Sequence, residues 1–441
     1  IHAWGTCSSM PYTYLLQPPA LEEATRRRLE PPRVGAHARK AAADPKRAAR
    51  IVVDAVLIYT VGIALALAAR ILRPVLHIRF SSIDGRRIGH FIGMCEIYLC
   101  ERALGHHKGF TDIHTSTKVG NSQSDSTPPN KLIWRLYDEQ LHFNEWARYA
   151  VAANEILPGA KKHQTPISGP DYTGLMERVP AQIKLPETVI DAGNQWAKDS
   201  GISLDQEMVV FANRDSAHLS HRFSSKDWSY HDYRDNSIAS MTPMAEAMTA
   251  RGYLAVRIGA HAEEPIHSEN PWIFDLPFSG RTEEIELFVS NRCRFFIVTT
   301  SGIGDLGRMF RKPVACTNTA PFLTVVRLKT QPADLWIPKH HWSVEQKRFM
   351  TFSEIVECGA GHFDRTEQYS ANGIELVENT AEEITDIALE TDAILSGHHH
   401  IGAAEQRLYD RFWKIALEGR KWTGESRIAL SFLSRHSHLV R

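Results

Sequence analysis

From Val75 onward the chain alternates short apolar runs with longer stretches whose apolar residues recur every three or four positions. That alternation confines it to an α/β fold, a parallel sheet covered by helices. The runs VLHIRF (75–80) and FTDIHTS (110–116) read as strands, and FIGMCEIYLCERAL (91–104) and NKLIWRLYDEQLHF (130–143) as helices. A Pro-rich stretch at 157–187 has no sustained period and carries the chain to a second unit, with the boundary expected between 185 and 205.

The second unit is more clearly punctuated. MVVFANRD, YLAVRIG, RFFIVTTSG and KPVACTN read as strands, and TPMAEAMTARG, RTEEIELFVSNRC and GDLGRMFR as helices. TAEEITDIALETDAIL is a late helix, with Thr380 and Glu383 spaced as a capping box at its start. There is no internal repeat beyond the shared architecture.

Composition limits what these units can do. In 441 residues, 51 Lys+Arg balance 51 Asp+Glu, so no global basic field holds nucleic acid, and no nucleic-acid partner is expected. The six cysteines show neither C-x-x-C spacing nor a disulfide density, which fits a reducing cytoplasm. Residues 1–50 are Pro-, Ala- and Arg-rich and read as a mobile basic arm. Residues 51–74 form an apolar helix whose uncharged core, Ala55–Ala69, falls short of the roughly 20 residues of a membrane span. Three roles stay open for it: a buried packing helix, a single membrane span, or membrane-surface contact through residues 51–72, peripheral on the inner face, with the basic arm on anionic headgroups. The remaining divisions expected are an amino-terminal Rossmann-like acceptor domain (75–195), a carboxyl-terminal Rossmann-like nucleotide-sugar domain (196–400) and a helical tail (401–441).

In open parallel sheets, ligands bind beyond the carboxyl ends of strands, so loops after strands carry function. Four such loops stand out. DGRRIGH ends in Gly89 and His90, a general-base candidate near neutral pH. FANRDSAH supplies Arg214, with the fork suited to a diphosphate, and Asp215, which would orient it or act as a base. DWSYHDYRDNSI (227–238) is dense in aromatic and polar groups, with Tyr230, His231, Tyr233, Arg234 and Asn236 as pocket candidates. The fourth, Gly302-Ile-Gly304-Asp-Leu-Gly307, matches the dinucleotide fingerprint G-x-G-x-x-G, but no acidic residue follows about 20 positions later to bind a ribose. What remains is an anion site at Thr300, Ser301 and Gly302 before a helix. His398-His399-His400 follows a helix-ending Gly and reads as a polar turn, so no metal site is expected.

The segments RIGHFIGMCEIYLCERALG, NRDSAH, DWSYHDYRDNSI, YLAVRIGA, RFFIVTTSGIGDLGRMFRKPVACTNTAPF, LWIPKHHW and GIELVENTAEEI together resemble a group of bacterial glycosyltransferases from surface-polysaccharide and secondary-metabolite clusters, similar in layout to GT-B enzymes. The likeness runs from about Val75 to RIALSFLSRH near the carboxyl end. A weaker similarity links NRD and the Ser-Gly helix start with Arg308 to fucosyltransferase-type GT-B proteins, although Asn213 and Asp215 flank Arg214 where that motif has basic residues. The resemblance implies an α/β GT-B fold, two Rossmann-like domains facing across a cleft, and a hexosyltransferase-type enzyme. Its co-substrate would be a UDP-, GDP- or other NDP-sugar, with no metal required, and its acceptor a glycan, a lipid-linked or a small molecule. Arg214, Tyr230, Arg234, Arg257, Gly259, Thr300, Ser301, Gly302 and Asn318 would hold the donor. His90, Asp215 and His231 are the catalytic candidates. The alternatives are a sugar-nucleotide epimerase, an NAD-dependent oxidoreductase and a noncatalytic membrane scaffold.

Overall fold

The computed structural model describes residues 45–119, 128–217, 228–418 and 426–441. Its strands are β1 (His77–Ser82), β2 (Phe110–Thr115), β3 (Met208–Ala212), β4 (Leu254–Arg257), β5 (Ile273–Asp275), β6 (Phe295–Thr299), β7 (Val314–Thr319), β8 (Leu335–Pro338), β9 (His340–Ser343), β10 (Arg348–Phe349), β11 (Ile374–Val377) and β12 (Arg427–Ile428). Seven of them build one sheet in the order β12-β8-β7-β6-β3-β4-β5, every neighbouring pair parallel. Counted from β3 this is 3-2-1-4-5-6-7, the doubly wound order, with its reversal between β3 and β6.

Parallel strands covered on both faces must be apolar on both, and β3 and β6 are fully buried throughout. Their side chains divide by the two-residue period. Val209, Phe211, Phe295 and Ile297 join one core, which also takes Ile384, Ile387 and Phe412 from the helices Ala381–Leu395 and Ala403–Leu417. Met208, Val210, Ala212, Phe296 and Val298 join the other, with Leu287 and Phe288 from the helix Glu283–Arg292. The capping box of the Ala381–Leu395 helix is complete: Glu383 N donates to Thr380 Oγ1, and Thr380 N donates to a Glu383 carboxylate oxygen.

The amino-terminal unit departs from the expected second Rossmann-like domain. Among the described residues it holds two parallel strands, β1 and β2, with the helices Ile88–Ala103, Lys131–Leu141 and Ala147–Ile156. A buried pair ties its strands, Arg79 Nε donating to Asp112 Oδ1 at 2.7 Å, and the Arg79 guanidinium lies 3.7 Å over the Phe110 ring. Phe91, Ile92, Cys95, Leu99 and Tyr137 pack into the same core as β3 and β6. The two units therefore share apolar contact, which the expected cleft between them did not imply.

Three expected boundaries also shift. Residues 45–50 of the presumed arm already belong to the helix Pro45–Leu57, while residues 1–44 lie outside the described residues. The helix Glu187–Asp199 straddles the division at 195, and packs on Glu283–Arg292 of the second unit. Residues 401–441 are no appendage, because β12 extends the main sheet and Phe412, Phe432 and Leu433 are core residues.

Gly193 sets the approach of Glu187–Asp199 to Glu283–Arg292, since a Cβ there would fall inside the Phe288 ring. Gly193→Ala should therefore lower the unfolding free energy by about 1–3 kcal/mol, the cost of overpacking a filled core. A shifted guanidinium chloride midpoint with unchanged slope is the expected readout.

Candidate functional site

The reversal of strand order puts the carboxyl ends of β3 and β6 side by side, the place where an open parallel sheet takes ligands. The loop after β3 carries Asn213, Arg214 and Asp215, and the loop after β6 carries Thr300, Ser301 and Gly302. The short 3₁₀ segment Ser229–Arg234 is bolted onto the first loop through the buried Asn236. Asn236 N donates to Arg214 O at 2.9 Å, Arg214 N donates to Asn236 Oδ1 at 3.2 Å, and Asn213 Nδ2 donates to Asn236 O at 3.0 Å.

That fastening brings cations together. Arg214 Nη1 donates to His231 O at 3.1 Å and pairs with the Asp235 carboxylate. Asp235 is nonetheless raised to about 6, because its burial outweighs the attraction of Arg214. Lys339 Nζ donates to Asp235 O at 2.6 Å. The His231 ring lies 4.0 Å from that of Tyr230, over which Arg365 stacks at 4.6 Å. His231 is lowered to about 4 by burial and then by Arg234, Arg214, Arg87 and Arg365 in turn. Four guanidiniums act on one neutral imidazole, and although Arg214 is paired with Asp235 and Arg365 with Glu367, the charge that they leave would favour an anion.

Arg87 comes from the amino-terminal unit, as the residue preceding the helix Ile88–Ala103. The same helix start carries His90, lowered by burial and by Arg87, with Asp84 and Asp305 pulling the other way. His90 also lines a cavity of about 260 Å³ between the units, together with Asp171, Asp305, Arg308, Lys329 and Asp334. Arg308 Nη1 donates to Asp305 Oδ1 at 3.1 Å, and burial raises Asp334 to about 6 despite Arg308.

Other expected ligands have structural employment. Arg257 is fully buried: Nη2 donates to Asn213 Oδ1 at 2.9 Å, and Nη1 donates to Glu264 O at 2.7 Å and to Asp275 at 3.3 Å. It closes the β3-β4-β5 edge and is corrected from donor ligand to sheet clamp. Gly259, at φ 143°, donates its N–H to Glu286 Oε1 at 3.1 Å. The Asp215 carboxylate accepts from Ala217 N at 3.1 Å and from Glu263 N at 3.0 Å, one bond on each oxygen, which fixes its orientation. Asn318 is buried in reciprocal bonds with Asn379, of 2.6 and 2.7 Å.

The fingerprint glycines serve packing. A Cβ on Gly89 would meet Gly302 Cα at 2.6 Å, and one on Gly307 would meet Phe296 and Val314 at 2.9 and 3.0 Å. Gly302 is thus covered by the amino-terminal unit, and the helix behind it is the short Gly304–Met309. The Ser301 hydroxyl is buried and makes no hydrogen bond, and Thr300 faces the Cys316 thiol. A dinucleotide would bind at the first strand of this sheet, and there the chain has Asn213-Arg214-Asp215 in place of glycines and Arg257 in place of the ribose acid.

The structure thus assembles Arg214, Tyr230, His231 and Arg234, and adds Arg87, Arg365 and Lys339, which sequence reasoning missed. Arg87 was legible two residues before Gly89 in DGRRIGH, whereas Arg365 and Lys339 arrive from distant segments with no local signal. Among the described residues one group has metal-ligand types, His340, Glu383 and His436. Both imidazoles bond the Glu383 carboxylate and hold it below the usual carboxylate range.

No protein-family profile matches the chain, and no curated protein matches it. Similarities to solved structures are faint. They include ADP-heptose lps heptosyltransferase II of E. coli, 12% identical over 55% of this chain and 86% of that one, with a TM-score of 0.30. A glycosyl transferase family 9 protein from Veillonella parvula is 13% identical over 56% and 83%, with a TM-score of 0.31. The iron-containing dodecameric glycosyltransferase TibC of enterotoxigenic E. coli is 14% identical over 58% and 60%, with a TM-score of 0.28.

Burial is the larger cause of the low His231 pKa, so removing one of the four guanidiniums should restore only part of it. Arg234→Gln is expected to raise the His231 pKa from about 4 toward the ordinary histidine value, followed by NMR titration of the ring protons.

Proposed function

We propose that this chain is a glycosyltransferase of the hexosyltransferase type, moving a sugar from a nucleotide-sugar donor to a hydroxyl or amine acceptor in glycan or natural-product biosynthesis. The observation that carries this reading is the convergence of Arg87, Arg214, Arg234 and Arg365 on His231, next to the strand-order reversal of a doubly wound sheet. A nucleoside diphosphate suits that place: two phosphates meet the guanidiniums and the base meets the aromatic rings of Trp228 and Tyr230.

The chemistry follows from charge. As the glycosidic bond to the diphosphate breaks, negative charge grows on the leaving oxygen, and fixed guanidiniums stabilise it without reorganising. This supplies the positive charge from side chains, so a metal-independent transfer is the form proposed. The acceptor enters from the amino-terminal unit, where His90 lines the cavity between the units. A lowered pKa keeps His90 neutral at pH 7 and able to take the acceptor proton, which makes it the first choice of base in an inverting reaction. His231 stands second, because an imidazole near pKa 4 is a weak base until an anion raises it. Cytoplasmic nucleotide sugars would be the donor pool.

Thermal shift and calorimetry against a panel of UDP-, GDP-, CMP-, dTDP- and ADP-sugars, with NAD as control, test the reading. One sugar nucleotide should bind, and Arg214→Ala should weaken it by roughly 10- to 150-fold, the worth of a charged hydrogen bond. Binding of NAD alone, or conversion of the sugar nucleotide without an acceptor, would replace the transferase by an oxidoreductase or an epimerase. The pH dependence is fixed in sign. A bound diphosphate raises the His231 pKa, so the complex takes up a proton and affinity for the sugar nucleotide should increase as pH falls from 7 toward 5.

A further inference from the structure

The helix near the described amino end is built inside out. Pro45–Leu57, the π turn Ile58–Gly62 and Ile63–Leu72 follow one another without a break, and the 25-residue stretch Ala48–Leu72 contains an 18-residue window of mean hydropathy 2.4, so it is long and apolar enough to cross a membrane by length and composition. At 1.5 Å per residue it is about 37 Å long, longer than the uncharged core alone suggests. A helix in water turns its large apolar side chains to the core. Here the residues turned toward the protein are Asp54, Gly62, Ala66 and Ala69, while Val52, Val56, Tyr59, Leu67, Ile71 and Val75 face outward.

The inward stripe is committed to packing. A Cβ on Gly62 would overlap the Tyr149 carbonyl oxygen, so the helix Ala147–Ile156 fits only against a glycine there. Tyr149 OH donates to Asp54 Oδ1 at 3.3 Å, and Arg70 Nη2 donates to Asn154 Oδ1 at 2.9 Å. The outward arc is not small. Residues 51–76 supply eleven of the 23 exposed large apolar side chains among the described residues. Monomers in water rarely leave so continuous a patch uncovered.

The occupant can be narrowed by shape and charge. Leu65 and Leu67, both exposed, point about 160° apart around the helix at 100° per residue. A rigid protein surface covers one side of a helix, whereas hydrocarbon chains close around it. Exposed cations flank the apolar arc, with Arg50 at one end and Arg73, Lys161 and Lys162 at the other. We infer that residues 51–76 seat this chain on an anionic lipid bilayer, with the helix embedded along the interface and its Gly62-Ala66-Ala69 stripe holding the globular body against it. This inference stands apart from the glycosyl-transfer reading.

The test uses the full chain and vesicles of phosphatidylcholine, alone or with 30% phosphatidylglycerol. Cosedimentation with the anionic vesicles is expected, weaker with the neutral ones, and reduced at least tenfold by the triple variant Val52→Asp, Val56→Asp, Ile71→Asp. Those positions are exposed, so the variant should keep its melting temperature in lipid-free buffer. In Tyr59→Trp, the difference in emission from wild type should shift to the blue on binding and be quenched by brominated acyl chains. Failure to cosediment overturns the inference, as does binding that survives the triple variant. A lipid-free dimer in light scattering that the variant dissolves, without quenching by brominated lipid, would assign the face to a second copy instead.

Discussion

Glu96 has no solvent exposure, and a carboxylate so placed must be compensated completely or it unfolds its surroundings. Its partners come from several segments. Arg311 Nη2 lies 2.9 Å from Oε1, Gln182 N donates to the same oxygen at 3.0 Å, and Tyr137 OH donates to Oε2 at 3.0 Å. Arg311 belongs to the second unit and holds a left-handed backbone, φ 60°, immediately after the helix Gly304–Met309. It also donates to Val179 O at 2.9 Å and Pro180 O at 3.0 Å. Any rotation of one unit on the other that pulls Arg311 away strands Glu96 in the core. The relative position of the two halves is therefore set by one buried charge, and the Gly89–Gly302 contact and the cavity beside it follow from that setting.

A second tie repeats the logic at lower burial. Glu283, in the first turn of Glu283–Arg292, accepts from Lys131 N at 3.0 Å and Leu132 N at 2.8 Å, and so caps a helix of the other unit. An acid at a helix start is favourable to the dipole and to the free N–H groups alike. The two units thus exchange charges as well as apolar surface, which is why a reading that separated them at a linker found the elements but not their arrangement.

Much of the sheet was legible because its central strands are the apolar ones. β3, β4, β6 and β7 fall within the runs that periodicity marks, as do the helices that connect them. The edges were not legible. β5 has three residues and β12 two, and neither is long enough to show a period. The helix Ala147–Ile156 was missed because its buried face is largely alanine, Ala147, Ala150 and Ala153, which marks a core less clearly than larger apolar residues do. In the candidate site, Arg214, Tyr230, His231 and Arg234 were found because they share a local, polar, post-strand context. Arg257 misled the same rule: an arginine after a strand is equally useful for bridging strand ends, and Asp275 lies in register beside it. No spacing in one chain separates these two uses. The apolar helix posed the reverse problem, since hydropathy cannot say which of its faces is turned inward, and only the burial of Gly62, Ala66 and Ala69 does.

The contact between Gly89 and Gly302 carries one more consequence. Arg87 stands two residues before one of these glycines, and the β6 loop contains the other, so the spacing that lets backbones touch also fixes how far one half's cation reaches over the other half's ligand loop. The pocket is then owned by neither half. Exchanging the amino-terminal unit for that of a relative would therefore replace Arg87, part of the charge around His231 on the other half. Recombination at residue 185 or 205 always parts the two glycines, so it would be neutral for folding only where the incoming unit also has a glycine at position 89, and point changes around the cavity disturb this contact less than exchange of a whole unit.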